Sequence, residues 1–235
     1  MSTVLSIAMA VLVTAQAQSA RPDSAAPASP REPDASWKPL ARSLWFDPAR
    51  KQVIIRARVV LREGPLEHLM CLKGTKEHEA ILATDAPARQ IHAGLLLTGA
   101  EEGHPVRFLP KFEPPAGSPI AIELQFNEGG KPKTVDARKW LRDAKDRKYL
   151  PENWVFAGSE VYTDPITKQK MYAADEGDLI TVANFGSAIL DLPIASSASN
   201  EERLFLADTA RIPPLGTEVF VFLRPAKGRP DEKPR

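Results

Sequence analysis

Apolar and polar residues alternate with a period of two along much of the chain. In residues 52–62 every odd position from 53 to 61 is apolar, and arginines stand at positions 56, 58 and 62. In residues 119–126 the even positions are apolar. This alternation is typical of a β-strand with one face buried and the other in solvent. Shorter apolar runs predict further strands at 66–72, 79–84, 131–135, 154–158, 179–183, 188–192, 204–206 and 218–223.

Turn-forming residues separate several of these strands. Asp47-Pro48-Ala49-Arg50-Lys51 precedes the strand at 52–62, and Asn127-Glu128-Gly129-Gly130 follows the strand at 119–126. A third turn sequence occupies 164–167. Asn, Asp, Gly and Pro adopt tight-turn conformations at low cost, so each segment predicts a β-hairpin.

One segment has the pattern of a helix. Residues 86–98 carry Pro87 in the first turn and a run of leucines, with Asp85 before them as the N-cap and Gly99 after them as the C-cap. The expected fold class is therefore α+β. It has a mostly antiparallel β-sheet, one helix at about 86–98 and a short second helix at about 136–144.

The N-terminal segment predicts export. Residues 4–17 carry no charge and are mostly apolar, and Ala15-Gln16-Ala17 is the small-x-small pattern that signal peptidase cleaves. We predict a signal peptide at 1–17 and a periplasmic or extracellular protein. The apolar run is about 14 residues long, whereas a membrane-spanning helix needs about 20, so no transmembrane span is expected in the mature chain.

Composition divides the remaining chain. Pro, Ala and Ser dominate residues 18–36, and Pro with charged residues dominates residues 225–235. Such compositions cannot bury enough apolar surface to offset the entropy of ordering. We expect a disordered linker at 18–36, a single folded domain at 37–224 and a disordered tail at 225–235.

Charge and cysteine content narrow the function classes. The chain has 31 Lys and Arg residues against 30 Asp and Glu residues, so it lacks the basic excess that binds a phosphate backbone, and nucleic acid is not an expected partner. The single cysteine, Cys71, excludes an intrachain disulfide and a four-cysteine metal site. Cys71 stands among apolar residues, which predicts a buried, unreactive thiol.

The sequence contains none of the standard catalytic motifs. It has no G-x-S-x-G elbow, no Walker phosphate loop and no G-x-G-x-x-G turn. His78-Glu79 begins like the zinc-protease motif, but Leu82 stands where that motif has its second histidine. The acidic residues of 175–178 lack the ligand spacing of a calcium loop, and we interpret them as a solvated acidic turn.

The densest set of metal-binding or proton-transferring side chains is Lys76-Glu77-His78-Glu79, with His92 on the predicted helix. His78, Glu79 and His92 are the candidate ligands of a divalent metal, the one cofactor that the sequence suggests. In a helix that packs straight back on its strand, His92 falls about 11 Å short of the level of His78, so their convergence stays open. The structural alternative is a turn that holds buried hydrogen bonds.

Five short segments occur in an order that resembles a known family. They are Lys76-Glu77-His78-Glu79, Ile91-His92-Ala93-Gly94-Leu95-Leu96-Leu97, Trp154-Val155-Phe156-Ala157-Gly158-Ser159, Ala183-Asn184-Phe185 and Ile212-Pro213-Pro214-Leu215-Gly216-Thr217. Over roughly residues 50–225 the chain resembles the YdjY-domain family of exported bacterial, planctomycete-like proteins. The resemblance implies export and a single domain, and it implies no assigned reaction.

Two functions stay open at this point. Because the chain combines short strands with no catalytic motif, the first hypothesis is an exported envelope protein that acts as a non-catalytic binding module for an envelope protein or a cell-wall component. The alternative is an exported metal-binding protein or metal-dependent hydrolase centred on His78 and Glu79. A structure in which these groups converge would distinguish the two.

The small-x-small site predicts that the mature protein begins near Gln18. Intact-mass measurement of protein purified from its native host should give a chain that lacks residues 1–17. A cytosolic protein that retains Met1 would contradict export.

Overall fold

The computed structural model describes residues 32–195 and 204–226. The predicted signal peptide at 1–17 lies outside these residues, as do most of the predicted linker and tail. The described strands are β1 Lys38–Ala41, β2 Leu44–Asp47, β3 Gln52–Val59, β4 Pro65–Leu66, β5 His68–Leu72, β6 Ala80–Thr84, β7 Glu102–His104, β8 Ala116–Gly117, β9 Pro119–Glu128, β10 Lys131–Asp136, β11 Leu141–Asp143, β12 Trp154–Phe156, β13 Val161–Thr163, β14 Lys170–Tyr172, β15 Asp178–Thr181, β16 Leu190–Asp191, β17 Phe205–Ala207 and β18 Glu218–Pro225. The helix α1 covers Ala88–Leu97, and 3₁₀ turns cover Ala137–Trp140 and Ala173–Glu176.

The eight-residue strand β3 organises the main sheet. One edge of β3 pairs with β18 along residues 53–58. The other edge is divided, because its first half pairs with β2 and its last two residues pair with β6. A long strand can hold two partners on one edge, since its backbone N–H and C=O groups continue past the end of a shorter partner.

The pairing of β3 with β6 closes the main sheet into a ring of eight strands. The order around the ring is β3, β18, β9, β12, β16, β15, β5 and β6, which returns to β3. Neighbours in the ring are antiparallel except β15–β16 and β5–β6, which are parallel. Closure lets each of the eight strands pair on both sides.

The expected α+β class is wrong, because the described residues are mainly β. Within them one α-helix forms, the 10-residue α1, where a helix at 86–98 was expected. The segment 136–144, expected to be a second helix, instead forms the 3₁₀ turn 137–140 followed by β11. The Asp136 carboxylate caps this turn by accepting a hydrogen bond from the Arg138 backbone N–H at 2.9 Å. Pairing of β11 with β17 then satisfies backbone groups that a helix would satisfy internally.

The two ends of α1 differ in how well the sequence predicts them. Gly99 follows the C-cap residue Thr98, has a φ of 85°, which favours glycine, and donates its N–H to the Leu96 carbonyl oxygen at 3.0 Å. The predicted glycine at the C-terminal end of the helix is therefore confirmed. The predicted N-cap, Asp85, is wrong, because Pro87 occupies the cap position and Asp85 pairs with Arg42. Proline loses no hydrogen bond there, since the first N–H groups of a helix have no intrahelical partner.

The predicted hairpins are confirmed, because β2 pairs with β3, β9 with β10 and β13 with β14.

A continuous hydrophobic core includes the fully buried side chains of Trp140, Trp154, Phe156 and Phe205. The indole N–H of Trp154 donates to the Thr181 carbonyl oxygen at 2.7 Å, so this ring joins β12 to β15 through the core. Across 32–195 and 204–226, no helix is long and apolar enough to cross a membrane.

Gly117 in β8 lies where a β-carbon has no room. A methyl group there would overlap the carbonyl oxygen of Phe156 in β12, and the φ of 148° is one that L side chains rarely adopt. We predict that Gly117→Ala lowers the free energy of unfolding by about 2–4 kcal/mol, measured by urea denaturation.

Gly129→Ala is the matched control for this experiment. Gly129 also has a positive φ, 58°, but a β-carbon there would lie in open space. Its substitution should cost about 1 kcal/mol. Equal losses in the two variants would show that backbone conformation, and not contact with β12, explains the need for glycine at position 117.

Candidate metal centre

The parallel pairing of β5 with β6 brings two carboxylates together. In this register His68, the first residue of β5, is the partner of Ala80, the first residue of β6. The backbone N–H groups of Glu67 and His68 both donate to the Glu79 carbonyl oxygen at 3.1 Å. Glu67 and Glu79 therefore precede adjacent strands at the same level of the sheet.

Glu67, His68 and Glu79 form a compact cluster of metal-binding groups. One ligand atom from each residue lies within 4.8 Å of the other two. The His68 side chain is fully buried, whereas the Glu79 side chain is 23% exposed. His68 Nδ1 is 4.0 Å from Glu79 Oε1 and has no hydrogen-bond partner among the described residues. A buried imidazole nitrogen therefore faces a carboxylate that solvent reaches.

Asp178 determines which nitrogen of His68 carries the proton. Its Oδ1 lies 2.7 Å from His68 Nε2 and 3.2 Å from the Lys76 ammonium, and its Oδ2 accepts a hydrogen bond from the Ser187 hydroxyl. Burial alone would raise the pKa of Asp178, but the contacts with His68, Ser187 and Lys76 outweigh burial and lower this pKa to about 2. An ionised carboxylate only accepts hydrogen bonds, so in the neutral form of the imidazole Nε2 donates to Asp178 and the lone pair lies on Nδ1.

The carboxyl groups of Glu67 and Glu79 interact with each other. Burial raises the pKa of Glu67, and repulsion from the Glu79 charge and a hydrogen bond between the two groups raise it further. A carboxyl group donates such a hydrogen bond only when it is protonated. Without a cation, Glu67 therefore retains its proton more readily than an isolated glutamate does.

The β15–β16 connection covers His68. Phe185 stacks on the imidazole with ring centroids 5.4 Å apart and 14° between the planes, and the Lys76 ammonium lies 5.6 Å from the Phe185 centroid. Asp191 anchors the connection, because its carboxylate accepts hydrogen bonds from the Asn184 side chain and the Phe185 backbone N–H. Burial raises the pKa of Asp191 to about 7. The imidazole is therefore held on one face by Phe185 and at Nε2 by a carboxylate.

His78, a ligand expected from the sequence, lies at the edge of this cluster. Its side chain is 77% exposed, and its Nε2 is 3.6 Å from Glu79 Oε2. The structure therefore brings His78 and Glu79 together. It also adds Glu67 and His68, which the sequence hypothesis did not include.

His92, the third expected ligand, belongs to a different group of side chains. Its Nδ1 lies 2.9 Å from the Tyr172 hydroxyl and 3.2 Å from the Gly158 carbonyl oxygen, and its Nε2 lies 3.4 Å from Glu102. None of these partners is in the cluster of Glu67, His68 and Glu79. The structure does not bring His92 to Glu79.

Sequence reasoning missed Glu67, His68 and Asp178. The interpretation of a solvated acidic turn is wrong for Asp178, which is buried at the start of β15. His68 and Asp178 each stand directly before a run of buried strand residues. This pattern was a usable signal, because a buried polar group needs a polar partner. The buried thiol of Cys71 is confirmed, and burial raises its pKa to about 11.

The chain is a mainly β protein with a closed sheet and a candidate metal centre. In this centre a buried imidazole faces two carboxylates. The model of the YdjY domain family matches residues 44–224. The chain therefore belongs to the YdjY domain family, and the resemblance in its motifs is confirmed. No curated protein and no solved structure matches the chain.

The low pKa of Asp178 predicts acid-dependent stability. Because the folded-state pKa of about 2 lies below the ordinary value of 3.8, the carboxylate stabilises the fold above about pH 4, and this contribution is lost as the pH falls toward 2. In metal-free protein, the free energy of unfolding of wild type should fall by about 2 kcal/mol more than that of Asp178→Asn between about pH 5 and about pH 2. Urea denaturation at both pH values measures the difference. Identical pH dependence in the two proteins would contradict the low pKa of Asp178.

Proposed function

We propose that this protein is an exported member of the YdjY domain family that binds a divalent cation through Glu67, His68 and Glu79. The observation that carries the proposal is the buried Nδ1 of His68, which lies 4.0 Å from Glu79 Oε1 without a hydrogen-bond partner among the described residues. A buried acceptor left unsatisfied costs about 1–3 kcal/mol. A cation between this nitrogen and the carboxylates would remove that cost.

Asp178 gives His68 the form that a metal needs. Histidines that bind metals usually donate their second ring N–H to a carboxylate or a carbonyl, which fixes the tautomer and the ring orientation. The hydrogen bond of 2.7 Å between His68 Nε2 and Asp178 is this arrangement. Because Phe185 also holds the ring, the imidazole is oriented before a cation arrives, and binding loses little side-chain entropy.

The donor set indicates the kind of cation. One imidazole and two carboxylates suit Zn²⁺ or Mn²⁺, whereas Ca²⁺ and Mg²⁺ prefer oxygen ligands alone. Affinity should follow the usual order of divalent metals, with Zn²⁺ above Mn²⁺. The two carboxylates also neutralise the charge of a divalent cation.

Cation binding and proton release are linked at this site. The proton between Glu67 and Glu79 must leave when both carboxylates bind the cation. Because the pKa of Glu67 is raised, more protein carries this proton at low pH than an isolated glutamate would. Cation affinity should therefore increase as the pH rises through the range in which Glu67 loses its proton.

Three protein ligands leave a fourth position in a tetrahedral site. A carboxylate of an envelope protein or a cell-wall component would bind the cation in that position. The protein would then act as a binding module, which is the function that we favour. A water molecule there would serve a metal-dependent hydrolase, the second candidate. The uncharged segment at 4–17 with its small-x-small site supports export.

Titration calorimetry with Zn²⁺ tests the proposal. We predict one Zn²⁺ bound per wild-type chain, and an affinity at least about tenfold lower in Glu79→Gln and in His68→Asn, because each variant loses a ligand atom. His78→Ala should lose less affinity, since His78 contacts Glu79 from the exposed side.

Two variants serve as controls. Glu101→Gln removes an exposed carboxylate outside the cluster, and His92→Ala removes an imidazole with other partners. Both should bind Zn²⁺ like wild type. Folded wild-type protein without saturable Zn²⁺ binding, or a loss of affinity confined to His92→Ala, would refute the proposed site.

A further inference from the structure

We propose that a second site, built around Tyr149, binds a phosphate-bearing anion. Three cationic groups lie over the Tyr149 ring. The Lys139 ammonium and the Arg142 guanidinium are each 4.8 Å from the ring centroid, and the Arg211 guanidinium is 5.1 Å from it. We refer to Lys139, Arg142, Tyr149 and Arg211 as the Tyr149 cluster.

Two shared partners, Tyr149 and Asp208, hold both guanidinium groups. The Tyr149 hydroxyl oxygen accepts hydrogen bonds from Arg211 Nε at 2.7 Å and from Arg142 Nη2 at 2.9 Å. Asp208 Oδ2 lies 2.8 Å from Arg142 Nε and 3.4 Å from Arg211 Nε. Asp208 is buried, and its backbone N–H donates to the Trp140 carbonyl oxygen. Both guanidinium groups are therefore positioned before a ligand binds.

The charges of the cluster are unbalanced locally. Arg142 and Arg211 pair with the same carboxylate, Asp208, and Lys139 adds a third positive charge over the same ring. All three groups lie within 5.1 Å of the same ring centroid, so their positive charges repel one another. An anion with two negative charges that binds between them would relieve this repulsion.

Phosphate is the anion class that fits these donors. Guanidinium groups present N–H donors in a planar fork that matches pairs of phosphate oxygens, and an ammonium adds a compact charge. A tetrahedral phosphate can contact groups from three directions, whereas a carboxylate offers two oxygens in one plane. The cluster is accessible, since the Arg211 side chain is 53% exposed and Lys139 is exposed. The same chemistry occurs in free phosphate and in a phospholipid headgroup.

Inorganic phosphate is the first probe, titrated into the mature chain in the presence of a chelator so that the metal centre takes no part. Calorimetry or NMR shifts measure the binding. We expect saturable phosphate binding to wild type and about tenfold weaker binding to Arg211→Gln. Lys139→Gln should weaken binding severalfold, and this exposed position gives an independent result if Arg211→Gln perturbs folding. Unchanged affinity in folded Arg211→Gln and in Lys139→Gln would overturn the proposal.

Lys170→Gln is the charge-matched control, because Lys170 is exposed on β14. It should bind phosphate like wild type, and an equal loss there would mean non-specific attraction and would also overturn the proposal. Vesicles that contain phosphatidylglycerol distinguish the two sources. Cosedimentation that Arg211→Gln abolishes supports a headgroup, phosphate binding without cosedimentation supports a free phosphate, and cosedimentation unchanged in Arg211→Gln argues against the cluster as a headgroup site.

Discussion

The candidate metal centre depends on the register of β6, which two neighbours fix at once. β6 pairs in parallel with β5 and in antiparallel with β3, where Val59 is the partner of Leu82. A slip by one residue would break both pairings and would turn every side chain of β6 to the opposite face of the sheet. Glu79 is therefore held beside Glu67 although their charges repel. The closed sheet supplies the stability that offsets this repulsion, and a shared proton or a bound cation reduces it.

Charge is distributed so that the site attracts cations in spite of its burial. The Asp178 carboxylate is compensated by the Lys76 ammonium at 3.2 Å, and its Oδ1 lies 2.7 Å from His68 Nε2. A buried carboxylate without such compensation would carry a desolvation cost of several kcal/mol. Glu67 and Glu79 are both partly exposed, so their carboxylates reach solvent. An incoming cation meets negative charge at the surface and a lone pair behind it.

Most strands could be predicted from the sequence, whereas their partners could not. The alternation in 52–62 and 119–126 is local, and it identified β3 and β9 correctly because each strand buries one face. Local pattern holds no information on which strand pairs with which, so the parallel β5–β6 pair and the ring closure were not foreseen. The predicted second helix was wrong for the same reason, since β11 forms by pairing with β17, and Arg142 is the partner of Leu206, 64 positions further along the chain.

The same limit explains the incomplete prediction of the site. Lys76-Glu77-His78-Glu79 drew attention because its polar groups are adjacent in sequence, and Glu79 is indeed a member of the cluster. Glu67 and His68 reach Glu79 only through strand pairing, and Asp178 reaches His68 from a third strand. His68 is a single polar residue at the start of an apolar strand. This pattern predicts that the buried imidazole needs a polar partner, but it does not identify the partner residue.

The small sheet of β4, β17 and β11 separates the two proposed sites. Glu67 follows β4 and Asp208 follows β17, and these strands are antiparallel, with Leu66 opposite Phe205. The Ala207 backbone N–H also donates to the Gly64 carbonyl oxygen at 3.1 Å, so the pairing extends one residue beyond Pro65. Glu67 and Asp208 therefore lie at opposite ends of this paired segment. The two sites share no residue, and β4 and β17 are the elements through which a displacement at one site would reach the other. Close packing resists such displacement, so we expect each site to bind its ligand independently.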